Sequence, residues 1–575
     1  MSADLIVTAK SVITVDKAMS RAEAVAIDSS TGKITAVGAL TDLQKSAPEA
    51  KVQNLGDSVI LPGFVDAHNH PVMSGIVCME PSFWIAPYVG FPSYDDVKKL
   101  FVKANAEQPA GAALMFQGLD RSLQGVGELS NTDLDEFFPD RPVVVADNSG
   151  HEIYFNTAVI TSLGWADNKP PADPEGSRFG RNADGTSNGR AYEVGAMLAV
   201  AGKIMAEAVP HPLLSAAKWL RTMAANGVTM TSEHTYQSSM QKALIGLTMV
   251  PAAPIRISLY HMSTEADCGA AFASPVPDSM LKKNGIKLWA DGSPWVGTIA
   301  STISYLDNPT VVNAGITPGT HGEEMMNYSR AQIDAIIDAH GGDGHQFAFH
   351  CNGDIAFDIV LDAFEYGLNK FNLVGTDHRW RVEHVGAARA DQFARAASLG
   401  VGISMSPFQF IYWGDILDGT LFDSEVGAQW QRVGDAVKSG AVVSFHNDGS
   451  VSPSIPLLNL KSTVTRLTPS GKLHGPEQKI SLDDALRAQT INGAFHLKRD
   501  DEAGSIEVGK FADFVILDTD PYAVDPAHID KIKVQGTWLA GKPVDGDAYL
   551  AQIEAIDPSE HKDLHAVAIS KPHKC

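Results

Sequence analysis

A chain of 575 residues with 44 % apolar and 20 % charged side chains has the composition of a folded globular protein of more than one domain. Its formal charge of −23 argues against a nucleic-acid partner or an anionic membrane surface, because an acidic protein repels phosphate. Its four cysteines are far apart and form no CxxC pair. A chain this large needs no disulfide framework, so we expect reduced thiols in a cytoplasm.

The two ends of the chain share one pattern. Residues 5–15 alternate apolar and polar side chains, which predicts a strand and not a signal peptide. Short strands and turns continue to residue 61 and return over 502–545, so we predict a small β-sandwich domain built from both termini. Residues 546–575 are predicted to be a short helix and a polar tail. The sequence contains no run of about 18 apolar residues, so we predict no membrane span.

The middle of the chain, residues 62–501, alternates short apolar strands with helical segments. The predicted strands are 59–65, 227–231, 255–260, 286–290, 346–350, 380–384, 401–405 and 442–446. Eight strand–helix units in order predict an α/β fold with a parallel (β/α)8 barrel, and an open doubly wound sheet is the competing architecture. About 160 residues separate the first two strands. We therefore predict that residues 72–210 are an insertion that overhangs the barrel mouth as a lid.

Candidate metal ligands follow the strands, at the barrel end where such enzymes keep their sites. His68 and His70 come directly after the first strand and face the same way, because side chains alternate along a strand. Further candidates lie at or within later strands: Lys287, His350, His384 and Asp448. Each one alone is equally consistent with a structural role. Their recurrence at successive strand ends indicates a metal centre.

Six stretches occur in a fixed order across residues 3–545: LPGFVDAHNH, GIKLWADGS, FHCNGDIAFDIVLDAFE, RVEH, SFHNDGS and GSIEVGKFADFVILD. With these stretches the sequence resembles the amidohydrolase superfamily, specifically the YtcJ-like branch that contains N-substituted formamide deformylases. The resemblance implies two divalent metal ions. Zinc is the first expectation, with manganese, cobalt and iron as alternatives. Some relatives use a single metal ion, which leaves the number of ions open.

The resemblance also implies a role for each candidate ligand. It assigns the more buried ion to His68, His70 and Asp448, and the second ion to His350 and His384. Lys287, carboxylated by CO2, would bridge the two ions, because two cations stabilise a carbamate anion. The alternative is that Lys287 forms a salt bridge with Asp291 or another carboxylate.

The predicted function is metal-dependent hydrolysis of a C–N bond in an amide, an N-formyl amine or an N-acyl amine. The metals would lower the pKa of a bound water from about 15.7 towards 7, and the resulting hydroxide would attack the substrate carbonyl. Asp448 would accept the proton and pass it to the leaving nitrogen, as general base and then acid. Two alternatives stay open: hydrolysis of a cyclic amide, carbamate or ester, and a non-catalytic regulator on the same fold.

Four further residues are candidates for substrate binding: His151 and Glu193 in the insertion, and Asp291 and Trp295 after the fourth strand. His446, two residues before Asp448, is a candidate support for the ligands. Aromatic residues in the loops would either line an apolar pocket or attach the insertion to the barrel. Relatives often carry small residues and an arginine where Trp295 stands, so the substrate preference of the deformylases does not transfer directly. We expect a small-molecule substrate and a homo-oligomer, by base rate a dimer.

Overall fold

The computed structural model describes residues 3–174, 177–561 and 563–567. The strands of this part of the chain form three large sheets and one two-stranded ribbon. One large sheet combines both termini, one is parallel and occupies the middle of the chain, and one belongs to the segment between the first two strands of the parallel sheet.

The parallel sheet is a nearly closed barrel of eight strands. They are Phe64–Asp66, Val228–Tyr236, Arg256–Met262, Leu281–Trp289, Gln346–Cys351, Arg381–His384, Gly402–Met405 and Val443–Phe445. Their spatial order follows the chain, and the Ala67 N–H donates to the Phe445 carbonyl at 3.4 Å where the first and last strands approach. The predicted barrel is confirmed. An open doubly wound sheet is excluded, because its strand order would reverse at a switch point.

The predicted strand 59–65 is wrong as a single element, because it is divided between two sheets. Val59–Pro62 pairs with Phe514–Leu517 in the terminal sheet, whereas Phe64–Asp66 begins the barrel. Gly63 lies at the division, and a Cβ built there would be 2.1 Å from Thr229 Oγ1. Only glycine lets the chain pass so close to the second barrel strand.

The terminal sheet joins strands from both ends of the chain. They are Leu5–Ile13, Arg21–Asp28, Lys33–Gly38, Lys51–Asn54, Val59–Pro62, Phe514–Leu517, Val534–Leu539 and Lys542–Pro543. Buried side chains such as Val7, Ile60, Phe514 and Trp538 pack on one face. The helix Leu40–Ser46 contributes Leu43 to a second cluster beside this sheet.

The segment between the first two barrel strands folds around a six-stranded sheet. Its strands are Phe83–Trp84, Leu114–Leu119, Val143–Asp147, Glu152–Phe155, Arg178–Arg181 and Ser187–Tyr192. The helices Tyr94–Glu107 and Glu193–Ala208 belong to this segment. Phe101, Phe116 and Phe138 pack in a hydrophobic cluster of its own. The segment therefore has an independent core, as its length requires.

Helices alternate with the barrel strands and follow the last of them. The main ones are Pro212–Ala225, Gln241–Met249, Arg330–His340, Asp354–Lys370, Ala390–Leu399, Pro407–Leu417, Val433–Lys438, Pro456–Thr465, Leu482–Gln489 and Ile491–His496. In Asp354–Lys370 the apolar stripe of Phe357, Val360 and Phe364 is buried, as helical periodicity predicts.

The C-terminal segment contains the helix Gly546–Glu554, which packs against Pro212–Ala225. Within the described residues, we find no helix with both the length and the apolar character needed to cross a bilayer. Cys78, Cys268 and Cys351 are buried thiols. Cys575 and the rest of the predicted polar tail from residue 568 onward lie outside the described residues.

Candidate metal centre

The two histidines after the first barrel strand direct their Nε2 atoms at one carboxylate. His68 Nε2 lies 3.5 Å and His70 Nε2 3.0 Å from Asp448 Oδ1. Asp448 follows the last barrel strand, which lies beside the first, and its N–H donates to the His68 carbonyl at 3.1 Å. Parallel strands bring their carboxyl ends to the same mouth, so residues almost 400 positions apart in the sequence meet there.

The remaining nitrogen of each imidazole is held by a polar network. His68 Nδ1 lies 2.9 Å from Glu383 Oε2, and His70 Nδ1 lies 3.3 Å from Thr235 Oγ1 and 3.6 Å from Glu233. A proton on Nδ1 leaves Nε2 as the lone-pair nitrogen that a metal requires.

The electrostatics of this group favour a cation. Burial, together with His234 and Lys287, holds the pKa of His68 well below its usual range, so its imidazole is neutral. The ligand atoms of His68, His70 and Asp448 lie within 4.8 Å of one another. Imidazole lone pairs and a carboxylate oxygen repel each other unless a cation lies among them. The donor set therefore fits a divalent metal ion.

A second pair of histidines, His350 and His384, lies at the ends of the fifth and sixth strands. Their ring centroids are 4.5 Å apart. His384 Nδ1 lies 3.0 Å from His446 Nε2, whose other nitrogen is 2.8 Å from Ser404 Oγ. His384 Nε2 is buried and forms no hydrogen bond within the described residues. His350 Nε2–H donates to the Gly292 carbonyl at 3.0 Å, which leaves Nδ1 as its lone-pair nitrogen.

Lys287 lies in the fourth strand with its side chain in the barrel interior. The residue is completely buried, and its Nζ lies 3.3 Å from His68 Nε2 and 4.9 Å from the Trp289 ring centroid. The structure thus brings all six predicted ligand side chains to one mouth of the barrel.

Two of these residues have unusual backbone conformations. His384 has φ +74° and Asp448 has φ +50°, both in the left-handed region that favours glycine. Non-glycine residues there cost of order 1–3 kcal/mol each and persist only where the surroundings enforce them. Both lie where a barrel strand passes into its loop, and the turn directs their side chains across the mouth.

A small cavity lies at this mouth. Its volume is about 30 Å³, room for roughly two water molecules. His70, His350, His384 and Asp448 line one side, and Trp295 contributes to the wall. The cavity has room for a water molecule beside these side chains.

Two of the four predicted substrate-binding residues line the cavity and two do not. The two lining residues are His151 and Trp295. Glu193 contacts His151 instead, with its carboxylate 3.4 Å from His151 Nδ1. Trp295 stacks on Trp413 with ring centroids 4.1 Å apart. Trp295 Nε1 and Ser293 Oγ are buried without a hydrogen bond in the described part of the chain, so both offer donors to a ligand.

Asp291 lies behind the cavity wall. Its carboxylate accepts the N–H groups of Asn352 at 2.8 Å, Gly353 at 2.7 Å and Ala300 at 3.1 Å. Burial raises its pKa to about 7, although these hydrogen bonds act in the opposite direction. This carboxylate therefore ties the loop after the fourth strand to the turn after the fifth.

Aromatic side chains form contacts between the insertion and the barrel loops. Tyr88 stacks on Tyr412 with ring centroids 4.1 Å apart, and its hydroxyl donates to the Val451 carbonyl after the last barrel strand. Trp413 Nε1–H donates to Asp120 Oδ2 at 2.9 Å. Some loop aromatics therefore attach the insertion to the barrel, while Trp289, Trp295 and Phe408 line the cavity.

Comparison with known protein families identifies the family of this chain. A model described as the amidohydrolase family matches residues 51–545. The chain belongs to this family. The N-substituted formamide deformylase of Arthrobacter pascens is 26 % identical to this amidohydrolase, over 94 % of this chain and 97 % of that protein. The protein YtcJ of Bacillus subtilis (strain 168) is 23 % identical over 91 % of this chain and 96 % of that protein. The resemblance drawn from the motifs is confirmed.

Solved structures show the same fold. A metal-dependent hydrolase from Pyrococcus horikoshii OT3 superimposes with a TM-score of 0.69 at 21 % identity, covering 91 % of this chain and 99 % of that one. A metal-dependent hydrolase from Pyrococcus furiosus gives a TM-score of 0.65 at 22 % identity. The superposition covers 90 % of this chain and 99 % of that one. At this identity the likeness is one of fold.

Sequence reasoning missed the carboxylates behind the two histidines of this amidohydrolase. Glu383 contacts His68 and pairs with Arg381 Nε at 2.6 Å, and both are completely buried. The motif RVEH contained the signal, because Arg381 and Glu383 are two residues apart in a predicted barrel strand and therefore point to the same face. Charged residues at interior strand positions need a partner, and here the partners are each other and a ligand.

Glu383→Gln will lower metal affinity by about 10–100-fold, because the amide cannot hold the proton of His68 Nδ1 as a carboxylate does. Competition with a chromophoric chelator measures this affinity. The matched control is Asp415→Asn, which alters a similar carboxylate–imidazole pair with His474 at 2.8 Å outside the cavity. Equal metal affinity in the wild type and Glu383→Gln, with both proteins folded, would show that Glu383 does not support the ligand.

Proposed function

We propose that this amidohydrolase is a metal-dependent hydrolase that cleaves the C–N bond of an N-formyl or N-acyl amine. One observation carries the proposal: the Nε2 atoms of His68 and His70 converge on Asp448, while their Nδ1 atoms face carboxylate-containing networks. The similarity to an N-substituted formamide deformylase supports the choice of bond.

We assign two divalent ions to the centre, with zinc the first expectation. His68, His70 and Asp448 would hold one ion, and His350 and His384 the other. Lys287 would carry a carbamate between them. In that modification the neutral Nζ attacks CO2, a new N–C bond forms and one proton is released. The burial of Lys287 beside His68 supports this assignment, because a lysine inside a barrel is readily held neutral.

Bound metal ions would supply a hydroxide nucleophile near neutral pH and polarise the substrate carbonyl. The protein supplies the proton path. Asp448 takes the proton of the attacking water and returns it to the nitrogen as the C–N bond breaks, so the amine leaves in neutral form. Trp295 Nε1–H and Ser293 Oγ–H are donors available to orient the substrate in the cavity.

The test combines metal analysis with a substrate panel. We expect about two equivalents of divalent metal per chain, and hydrolysis of N-formyl or N-acyl amines that a chelator abolishes and added metal restores. Turnover of cyclic amides, carbamates or esters in place of acyl amines would select the alternative substrates. Protein that stays metal-free after loading, with no effect of chelator, would overturn the proposal and favour a non-catalytic role.

A further inference from the structure

A column of stacked rings crosses the barrel interior behind the metal centre. The ring of His68 lies parallel to that of His234, with centroids 4.0 Å apart and an interplanar angle of 7°. Tyr260 in turn stacks on His234 with centroids 4.1 Å apart. His446 stacks on His68 with centroids 4.8 Å apart. One predicted metal ligand therefore lies inside a column whose other members are not predicted ligands.

Neighbouring barrel strands supply these rings. His234 belongs to the second strand, and His446 follows the eighth. These two strands flank the first strand, which precedes His68, so the two rings approach His68 from its two sides. All three histidines are buried. A closely packed ring between two nearly parallel rings cannot turn without collision, so the column restrains the plane of the His68 imidazole.

The hydrogen bonds of His234 determine which of its nitrogens carries the proton. Arg381 Nη2 lies 2.7 Å from His234 Nε2, and a guanidinium can only donate, so this nitrogen is the acceptor. The proton is therefore on Nδ1, which donates to Ser232 Oγ at 2.7 Å. The Ser232 hydroxyl donates in turn to the Ala67 carbonyl at 2.9 Å. His234 is thus a neutral imidazole with both ring nitrogens in hydrogen bonds.

The same network reaches the backbone on both sides of His68. Arg381 Nη2 also donates to the Ala67 carbonyl at 2.9 Å. The backbone N–H of His234 donates to the Asn69 carbonyl at 3.0 Å. His234 is therefore tied to the residues before and after His68 as well as to its ring.

His234 supports a ligand and is not one itself in this arrangement. Ligand atoms of His68, His234 and Glu383 lie within 4.8 Å of one another. However, Arg381 occupies the lone pair of His234 Nε2, and the other nitrogen carries the proton. His234 is also absent from the lining of the small cavity at the mouth.

We propose that His234 is a positioning residue of the metal centre. Its ring, stacked on His68, fixes the plane in which His68 Nε2 presents its lone pair to the metal ion. The inference rests on the proposed function, because it needs a metal ion at His68. It goes further by giving a role to a residue of the second barrel strand, outside the six predicted ligands.

Two variants of His234 test the role of the ring. His234→Leu removes the flat ring and keeps a side chain of similar size. We expect its affinity for Zn²⁺, measured by competition with a chromophoric chelator, to fall by about 10–100-fold. The visible spectrum of the cobalt-loaded protein should change too, because it reports ligand geometry. His234→Phe keeps a ring, and Arg381 keeps the Ala67 carbonyl, so its affinity should stay within about threefold of wild type.

His496→Leu is the matched control. His496 is also completely buried, and its Nδ1 lies 2.6 Å from Ser444 Oγ, a pair of the same type as His234 with Ser232. It packs against Gly402 at the start of the seventh strand, at the end of the barrel away from the mouth. This variant should have a lower melting temperature and wild-type metal affinity.

The metal-free protein provides a readout that is independent of the proposed function. With isotope-labelled histidine we expect one sharp set of His68 ring signals by NMR in the wild type and in His234→Phe. His234→Leu should show broadened or multiple sets, because the released ring samples more than one plane.

Several results would overturn the positioning role. They are a single sharp set of His68 signals in folded His234→Leu, metal affinity in His234→Phe as low as in His234→Leu, and an equal loss of affinity in His496→Leu. If the wild type binds no metal, the proposed function fails, and the His68 ring signals alone then support or overturn the role of His234.

Discussion

Asp448→Asn will lower kcat/KM by about 10³–10⁴-fold. The carboxylate faces the Nε2 atoms of His68 and His70. In the proposed mechanism it also moves the proton from water to the leaving nitrogen. Asparagine has nearly the same shape but neither the charge nor the proton affinity. Steady-state kinetics on the best acyl amine and metal analysis of the purified variant measure the two effects separately.

A matched control distinguishes chemistry from folding. Asp354 is also buried, and it accepts hydrogen bonds from Ser301 and Thr302, but it does not line the cavity. Asp354→Asn should lower the melting temperature and leave metal content and kcat/KM near wild type. A folded Asp448→Asn protein with wild-type kcat/KM would remove Asp448 from the proton path.

If Lys287 carries the proposed carbamate, Lys287→Ala will reduce the bound metal from the proposed two ions towards one. It will also lower kcat/KM by about 100-fold or more, because the bridging anion would be lost. The cavity left by the side chain can admit a small anion. Adding a short carboxylic acid, such as acetate or propionate, should therefore restore metal and activity together. Mass spectrometry of the native wild-type protein should show the added mass of CO2.

Lys283 provides the comparison within the same strand. Its Nζ donates to the Cys268 carbonyl at 2.7 Å and approaches His261 Nδ1 at 3.0 Å, outside the metal cavity. Lys283→Ala should keep its metal and show no response to carboxylic acids. Full metal content in Lys287→Ala without any added acid would rule out a bridging carbamate.

Much of the barrel could be predicted from local patterns. The strand predicted at 346–350 is observed as Gln346–Cys351, and the one predicted at 380–384 as Arg381–His384. Short apolar runs bounded by glycine or polar residues carry this information locally. The strand predicted at 59–65 was wrong because its division depends on the contact between Gly63 and Thr229, which are far apart in the chain.

The metal centre also combines features that local patterns predict with features that depend on contacts between distant segments. Six ligand candidates could be named because each stands at the end of, or within, a predicted barrel strand. The carboxylates behind them could not be assigned, since Glu383 acts on His68 across the barrel and not on its neighbour His384. Contacts between the insertion and the barrel loops were beyond prediction, because residues such as Arg121 and Gly315 are far apart in the chain and meet only in the folded protein.

The sequence by itself determined the class of fold and the residue types of the centre, because strand periodicity and strand-end histidines are local properties of the chain. Tertiary structure alone decided which ring nitrogen of each histidine is held, which carboxylates hold it and what the insertion encloses. These depend on distances between segments that share no local pattern, and such distances follow from barrel closure and packing.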